Sequence, residues 1–462
     1  MLTYQKYLEA VEQNRLLAFL TSAIGLYQAS DEYRNAKLGD DYMRQMNTTI
    51  SRYRKWLRDN VGRVIEEDTS PNYKCASAYY KQNVIQLVQY LCSNGVTFGE
   101  DATKDKLGGS AFDNKLSRIV RFAAAEGVAY GFYNNGVVEW FRALEFIPLF
   151  DEETGRLRAG IRYWRLSADH PLRITLFTED GWQDFIRRED ADLEPMNEMQ
   201  PYKLNLTYVK GYDETAIAEG ENYPELPIVP CYANYERQAE IVGKQEHIDC
   251  YDLIESGYCD DIDQATFVYW ILNNAGGMDD IDLAEFRRRV HDTHVVKTDD
   301  DSTAVPHTLE VPVAAREAML TRLEQDIYND AMALNPRDIA SGNVTATAIQ
   351  AAYQRLDNRA DELEYCVIEF VQGLLRLVGV EDTPKFKRNR LTNQTEETAM
   401  ILSAATVLDQ QTVLEHLPFL TPDEVQVIMD RMAEQQMAMM EMQQAQIEAE
   451  AAATEEAENA AA

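Results

Sequence analysis

A chain of 462 residues can hold two or three domains with a sizeable buried core, and a composition 45% hydrophobic and 10% aromatic excludes a wholly disordered polymer. The formal net charge of −34 repels duplex DNA on average, which argues against a conventional basic nucleic-acid-binding protein. Six scattered cysteines (Cys75, Cys92, Cys231, Cys250, Cys259 and Cys366) include no CxxC pair, so they read as reduced thiols rather than a zinc site or a redox pair.

In chain order, the first 70 or so residues read as helical. The apolar run Leu16–Ile24 is short, interrupted and preceded by Glu9 and Glu12, whereas a signal peptide has a basic start and a longer apolar core. No run approaches the ~18 apolar residues of a membrane span, so a soluble protein is expected. A helix is expected from Asp40 or Asp41 to Asp59. Its basic second half (Arg52, Arg54, Lys55, Arg58) suits a helix C-terminus, the alternative being a nucleic-acid patch. Further helices are expected over 75–92, with Val84, Leu87, Val88 and Leu91 on one face, and over 113–126.

From Gly127 the period changes to that of strands. Three hairpins are expected: 128–133 with 137–141 across Asn134-Asn135-Gly136, 145–150 with 158–166 across Glu153-Thr154-Gly155, and 173–177 with 182–187 across Glu179-Asp180-Gly181. A further strand is expected over 204–209. Pro224, Pro227 and Pro230 bracket Ile228-Val229 and mark a domain edge. Strands after helices make an α+β fold, mainly helical overall.

A long helix is expected from Tyr235 to Asp263, with Ile241, Ile248, Tyr251 and Ile254 on one face. A small unit follows, with strands at 267–272, 294–297 and 308–311 and a short helix at 282–289. Its densest basic run, Arg287-Arg288-Arg289, is either a solvated helix face or a surface for a partner.

The stretch from Val313 to Val380 carries the strongest pattern. A first helix has apolar residues at Leu320, Leu323, Ile327, Ala331 and Leu334, and Pro336 should stop it at Asn335. A second runs from Thr345 to Val378. Ile349, Leu356, Leu363, Phe370 and Leu377 recur every seven residues, as do Tyr353, Ala360, Val367 and Leu374, and Gly379 closes it. Between the two lies a polar, turn-rich segment, 335–344, where Asn343 or Thr345 can cap the second helix.

After Pro384, 385–390 is a short basic strand-like piece with a phosphate or an acidic partner as its candidate ligand. Asn393 with Glu396, and Thr421-Pro422-Asp423-Glu424, are helix starts. The Met-, Gln-, Ala- and Glu-rich end frays into an acidic tail, expected to be disordered.

The run SGNVTATAIQAAYQRLDNRADELEYCVIEFVQGLLRL (341–377) resembles the portal proteins of tailed bacteriophages, in the branch typical of long-tailed phages. The resemblance is strongest over 235–380 and looser elsewhere. It implies a portal-like ring subunit with a wing (1–234), a first stem helix (235–265), a clip (266–312) and a second stem helix (313–335). A tunnel loop (336–344), a long wing helix and strand (345–392), a helical crown (393–440) and the acidic tail (441–462) complete it.

The resemblance also implies a homo-oligomeric ring, usually dodecameric, at one capsid vertex of the virion, assembled in the host cytoplasm. Double-stranded DNA passes through it. The partners implied are terminase, a head-completion adaptor, and the major capsid and scaffolding proteins, with no membrane and no cofactor. The DNA-channel candidates are Asn335, Arg337, Asp338, Ser341 and Asn343, with Arg337 and Asn343 as phosphate contacts. Arg287, Arg288 and Arg289 are the partner-facing candidates of the clip. Twelve copies would carry roughly −400 charges, so that DNA is repelled and centred rather than held.

No GxxxxGK[ST], GxSxG or HExxH motif is present, so neither a nucleotide loop nor a hydrolase is encoded, and no catalytic or metal-ligating residue is assigned. Two acidic quartets, 260–263 and 279–282, read as solvated helix ends. A metal-dependent nuclease that uses them, a metal pair of His291 and His294, and a non-viral helical scaffold are the competing readings.

Overall fold

The computed structural model describes residues 2–58, 61–68, 70–188, 191–209, 215–265, 269–273, 280–293, 303–307, 312–339, 346–390, 398, 401–405, 407–417, 425, 427–435 and 437. They divide into two units, one of 1–338 with 353–389 and one of 339–352 with 390–462.

The first unit opens with helices α1 (Tyr4–Glu12), α2 (Leu16–Gln28), α3 (Asp31–Met43) and α4 (Thr48–Arg52). The expected helix from Asp40 to Asp59 is therefore corrected. Asp40 and Asp41 are buried near the end of α3, which Ser30 caps by accepting from the Tyr33 amide. They sit at the wrong end of the helix dipole, and neighbouring cations offset this: Arg142 and Arg44 on Asp40, Lys37 on Asp41. The basic half, placed at a helix end by the sequence, instead opens a hairpin of β1 (Trp56–Arg58) and β2 (Val64–Glu66).

Helices α5 (Tyr79–Cys92), α6 (Asp101–Asp105) and α7 (Ala111–Glu126) flank a short β3 (Val96–Thr97). The three expected hairpins all form: β4 (Val128–Asn134) with β5 (Val137–Arg142), β6 (Phe146–Phe150) with β7 (Leu157–Trp164), and β8 (Leu172–Thr178) with β9 (Gly181–Arg187). At the first turn, Asn135 and Gly136 take φ of 45° and 86°, the left-handed pair that a two-residue hairpin loop needs.

β10 (Glu194–Pro195) completes a five-stranded sheet in the order β10-β9-β8-β7-β6. The strand expected near 204–209 is β11 (Lys203–Val209), paired with an unforeseen β12 (Thr215–Glu221). Ile228-Val229, bracketed by prolines and expected at a domain edge, is a strand segment. It belongs to β13 (Ile228–Tyr232), which adds to β4 at a sheet edge, where Pro230 removes no central hydrogen bond.

Two cores result. One packs Tyr7, Leu20, Ala23 and Tyr27 of α1 and α2 on Ile147, Leu149, Ile161, Ile174, Leu176 and Phe185 of the five-stranded sheet. In the other, α7 lies on the three-stranded sheet, and α3 crosses α7 at Gly39. A Cβ at Gly39 would fall 1.8 Å from the Ala125 carbonyl oxygen, so only glycine allows this approach.

Helix α8 (Gln245–Ala265) starts ten residues later than the sequence suggests. Arg237 and Gly243, at φ of 57° and 76°, break the helical path, although Ile241 is buried as the stripe required. β14 (Tyr269–Asn273) pairs with β15 (Thr303–His307), and α9 (Asp280–Thr293) lies between them in sequence. The expected strands at 294–297 and 308–311 lie outside the described residues.

Helix α10 (Val313–Asp330) ends before Leu334. The Ala333 amide bonds back to Tyr328 O across Met332, which is left-handed at φ 47°. Pro336, expected as the stop, instead opens the short α11 (Pro336–Ile339), where its missing amide costs nothing.

Helix α12 (Ala346–Val378) runs 33 residues, about 50 Å at ~1.5 Å per residue, and ends at Gly379 with φ 70°. Its stripe is buried as the heptads required: Tyr353, Leu356, Ala360, Leu363, Val367, Phe370, Leu374 and Leu377. Gly131 of β4 admits the Phe370 ring, since a Cβ there would sit 2.5 Å from the ring.

β16 (Lys385–Phe386) pairs with β3. In the second unit, Asp409 caps a helix at Gln410–His416. The starts expected at Asn393 and Thr421, the caps at Asn343 and Thr345, and the acidic tail lie outside the described residues.

Candidate channel loop and its helical frame

Helices α8 and α10 run antiparallel. His247 Nδ1 lies 2.6 Å from Asp330 at one end, and Asp261 pairs with Arg316 at the other. A polar stripe on α8, spaced three or four residues apart, binds the chain's own segment 42–77. Asp249 accepts from Tyr42 and, at 2.6 Å, from Thr49. Asp252, fully buried, accepts from Asn47 and from the Ser77 amide at 3.0 Å. Ser256 accepts from the Cys75 amide at 3.0 Å. Asp260 accepts from Lys55 Nζ and the Tyr73 amide, both at 2.8 Å. Burial pushes the Asp252 carboxyl up, and the hydrogen bonds from Asn47 and Ser77 oppose it.

This stripe weighs against the first acidic quartet as a metal site. Asp260 and Asp261 are neutralised by Lys55 and Arg316, which leaves neither as a free metal ligand. Asp279 and His294 lie outside the described residues, and His291 is in α9. All six cysteines are free thiols. The Cys75 and Cys259 sulfurs lie 3.9 Å apart, a proximity that a sequence separation of 184 concealed.

A buried clamp sits where α10 ends. Arg359 of α12 donates to the Ala331 carbonyl at 2.7 Å and to Glu240 Oε2 at 3.0 Å, and Lys244 reaches the same carboxylate at 2.7 Å. Burial alone would push the Glu240 carboxyl up, but Arg359 and then Lys244 hold it at about 2. Gln86 of α5 adds two 2.9 Å bonds to the backbone of Leu334, one donated and one accepted. These contacts satisfy carbonyls that a longer α10 would have bonded internally, which explains its early stop.

The candidate loop leaves this clamp. Asn335 is buried, and its Oδ1 accepts from the Arg337 amide at 3.0 Å, capping α11. Arg337 is largely exposed at 69%, and its guanidinium reaches Glu324 Oε2 of α10 at 3.0 Å. Asp338 lies in α11, while Ser341 and Asn343 lie outside the described residues. The structure thus brings Asn335 and Arg337 together at the end of α10, with Arg337 resting on an acidic side chain. Sequence reasoning missed Arg359, Glu240 and Gln86. The available signal was a lone arginine between Leu356 and Leu363 on an otherwise apolar edge.

In α9, Arg288 and Arg289 both bind Glu285 at 3.0 Å, holding its carboxyl below the usual range, while Arg287 is exposed. The basic piece at 385–390 is corrected. Arg388 binds Asp357 at 3.2 Å, Glu364 at 2.7 Å and Asp361, so its acidic partner is the outer face of α12.

Residues 26–455 match the family described as "Phage portal protein, SPP1 Gp6-like". The chain belongs to this portal family. It is 23% identical over 428 residues to the portal protein of Bacillus phage SPP1, covering 85% of this chain and 82% of that one. With the portal protein of Clostridium phage phiCD119 it shares 24% identity over 292 residues, which are 60% of this chain and 61% of that one. Two solved structures, the neck of a native gene transfer agent particle computed with C12 symmetry and the virion of such a particle, each cover 76% of this chain, at TM-scores of 0.40 and 0.41 and identities of 9% and 10%. As a phage portal protein the chain is a structural head-to-tail connector component. Among the described residues no helix is long and apolar enough to cross a membrane.

Proposed function

We propose that this portal subunit closes into a dodecameric ring at one capsid vertex of the virion, having assembled in the host cytoplasm. The ring serves as the channel for DNA packaging and ejection. It docks terminase during packaging and the head-completion adaptor and tail afterwards, while its flange meets the major capsid and scaffolding proteins. In this reading, 1–234 is the wing, α8 and α10 are the stem, the β14–β15 pair with α9 is the clip, and 336–344 is the tunnel loop. The region from 345 to 392 braces the wing, and 393–440 forms the crown. Neither a membrane nor a cofactor takes part.

The observation that carries the reading is the frame around the loop. An antiparallel pair, tied by ion pairs near both ends, with α8 bonded along a polar stripe to segment 42–77, leads at one end into the unit of β14, β15 and α9. At the other end it passes through the Arg359–Glu240 clamp into α11 and then the 33-residue α12. Arg337, with Ser341 and Asn343, supplies the weak phosphate contacts. Because Arg337 already rests on Glu324, a passing phosphate competes with a carboxylate, and the contact stays transient. In the clip, Arg287 with Arg288 and Arg289 faces the docking partners.

Negative-stain imaging of the purified protein is expected to show annular particles. Deleting 336–343 is expected to leave the rings intact and to abolish packaging or retention of DNA. Normal DNA content in particles built with the deletion would remove the loop from the mechanism.

A further inference from the structure

Residues 73–77 run antiparallel along α8 and are bonded to it at every second amide. The Tyr73 amide donates to Asp260 at 2.8 Å, the Cys75 amide to Ser256 Oγ at 3.0 Å and the Ser77 amide to Asp252 at 3.0 Å. Two residues of extended chain advance ~6.6 Å and four residues of helix ~6.0 Å, so the two segments keep step over these bonds. That register sets Cys75 beside Cys259, which lies one helical turn past Ser256, with the sulfurs 3.9 Å apart. The sequence holds no CxxC pair, and the fold supplies a close pair of thiols instead.

Sulfurs at that separation touch without being bonded. A disulfide needs ~2.05 Å, and side-chain torsions can supply the remaining approach of about 2 Å where the backbone is already tied on both sides of the pair. The other four cysteines are placed differently. Cys92, Cys231 and Cys366 are buried, and Cys250 lies in α8 on the far side of Ser256 from Cys259. Cys75 lines a surface cavity of about 420 Å³ with Ser77, Tyr79, Tyr251 and Glu255, so a small reagent can reach it. The acidic Glu255 favours a neutral reagent there over an anionic one. Burial, and then Cys259 beside it, push the Cys75 thiol up to about 11. Thiolate is therefore scarce at neutral pH, and the pair stays reduced until oxidant persists.

We infer that Cys75 and Cys259 are a peroxide-responsive dithiol whose oxidation staples 73–77 to α8. The Cys75 thiolate attacks one oxygen of the peroxide and the O–O bond breaks. A sulfenic acid forms on Cys75, and the displaced hydroxide takes up the Cys75 proton as water. The Cys259 sulfur then attacks the Cys75 sulfur. The S–S bond forms, the S–O bond breaks, and the hydroxide leaves with the Cys259 proton as a second water. Two electrons pass from the thiols to the peroxide. The reduced joint rests on hydrogen bonds and packing and can open, whereas the oxidised joint is covalent. For a component of a virion, the oxidising surroundings outside a cell are where the staple closes. Both sulfurs belong to one chain, so the inference does not depend on the ring.

The test uses the full chain, reduced, freed of reductant and treated with hydrogen peroxide. Thiols titrated after denaturation are expected to fall from six to four, and peptide mapping is expected to join Cys75 to Cys259 within one chain. Hydrogen exchange of the amides over 73–77 should slow about tenfold or more and recover with dithiothreitol. Cys259→Ser should leave a Cys75 sulfenic acid that dimedone captures, with exchange over 73–77 as fast as in the reduced protein. Cys250→Ser should close the staple as the unaltered chain does. Six thiols left after peroxide, a bond made to any other cysteine, or a Cys75–Cys259 disulfide that leaves exchange over 73–77 unchanged would overturn the inference.

Discussion

The hairpin sheets with α12 and the α8–α10 pair with α9 are built on opposite principles. Helix α12 buries a continuous stripe from Tyr353 to Leu377, and the hairpin sheets enclose Phe132, Phe141, Phe146 and Phe177 in mutual ring contacts. Helix α10 buries Leu323 and Ile327 and no other residue of its 18. Ile262 of α8 and Ile281 and Leu283 of α9 are exposed. One region is closed by its own core. The other is held by directional polar bonds along α8 and leaves apolar surface uncovered. A subunit that must join neighbours can use both, because hydrogen bonds fix the direction of α8 without using up area that assembly can bury.

The largest effects are expected where the self-sufficient region is opened. Phe370→Ala should destabilise the subunit by about 3–5 kcal/mol, since its ring fills the space that Gly131 leaves. Arg359→Met should cost a comparable amount, about 3–5 kcal/mol, because Glu240 is left buried with Lys244 as its one remaining cation. The two are separable by pH. The Glu240 carboxyl is held at about 2 against 4.5 in the unfolded chain, so its contribution is present above about pH 4.5 and is lost as pH falls toward 2. Urea midpoints of the Arg359 variant should therefore converge on wild type as pH drops, and those of Phe370→Ala should not.

A smaller effect of opposite pH sign is expected at Glu126. Its carboxyl is fully buried in α7 beside Arg142, with Asp40 on the same guanidinium. Burial outweighs Arg142 and raises its pKa from 4.5 to about 7. The folded state then binds a proton that the unfolded chain has released, so stability falls as pH rises from about 4.5 through 7, by roughly 3 kcal/mol. Glu126→Gln should flatten this slope in urea titrations between pH 5 and 8. A slope unchanged from wild type would assign it elsewhere.

How much of this was legible in the sequence depended on the range of the interactions. Helix α12 and the three hairpins were legible because heptad recurrence, Asn135-Gly136 and Gly379 act within a few residues. The end of α10 was not, because Gln86 stops it from 248 positions away and Arg359 from 28. The start of α8 was misplaced because an apolar stripe ran through Gly243 without registering its left-handed backbone. At the candidate loop, the segment and its polar character could be read. The inward turn of Asn335 and the hold of Glu324 on Arg337 depend on tertiary contacts that no local pattern encodes.

The smallest effect on folding is expected where assembly should matter most. Val313→Ser with Met319→Ser removes apolar surface that the subunit itself does not cover. Unfolding of the separated subunit should shift by no more than about 0.5 kcal/mol, the range of surface substitutions. In the proposed ring the same pair is expected to weaken assembly, with those side chains leaving water at a subunit contact. A loss above about 1 kcal/mol in the isolated subunit would mean that the α8–α10 pair does rest on its own apolar packing. The two regions would then differ in degree rather than in kind, and the exposed apolar residues of α10 would no longer mark surface available to a neighbour.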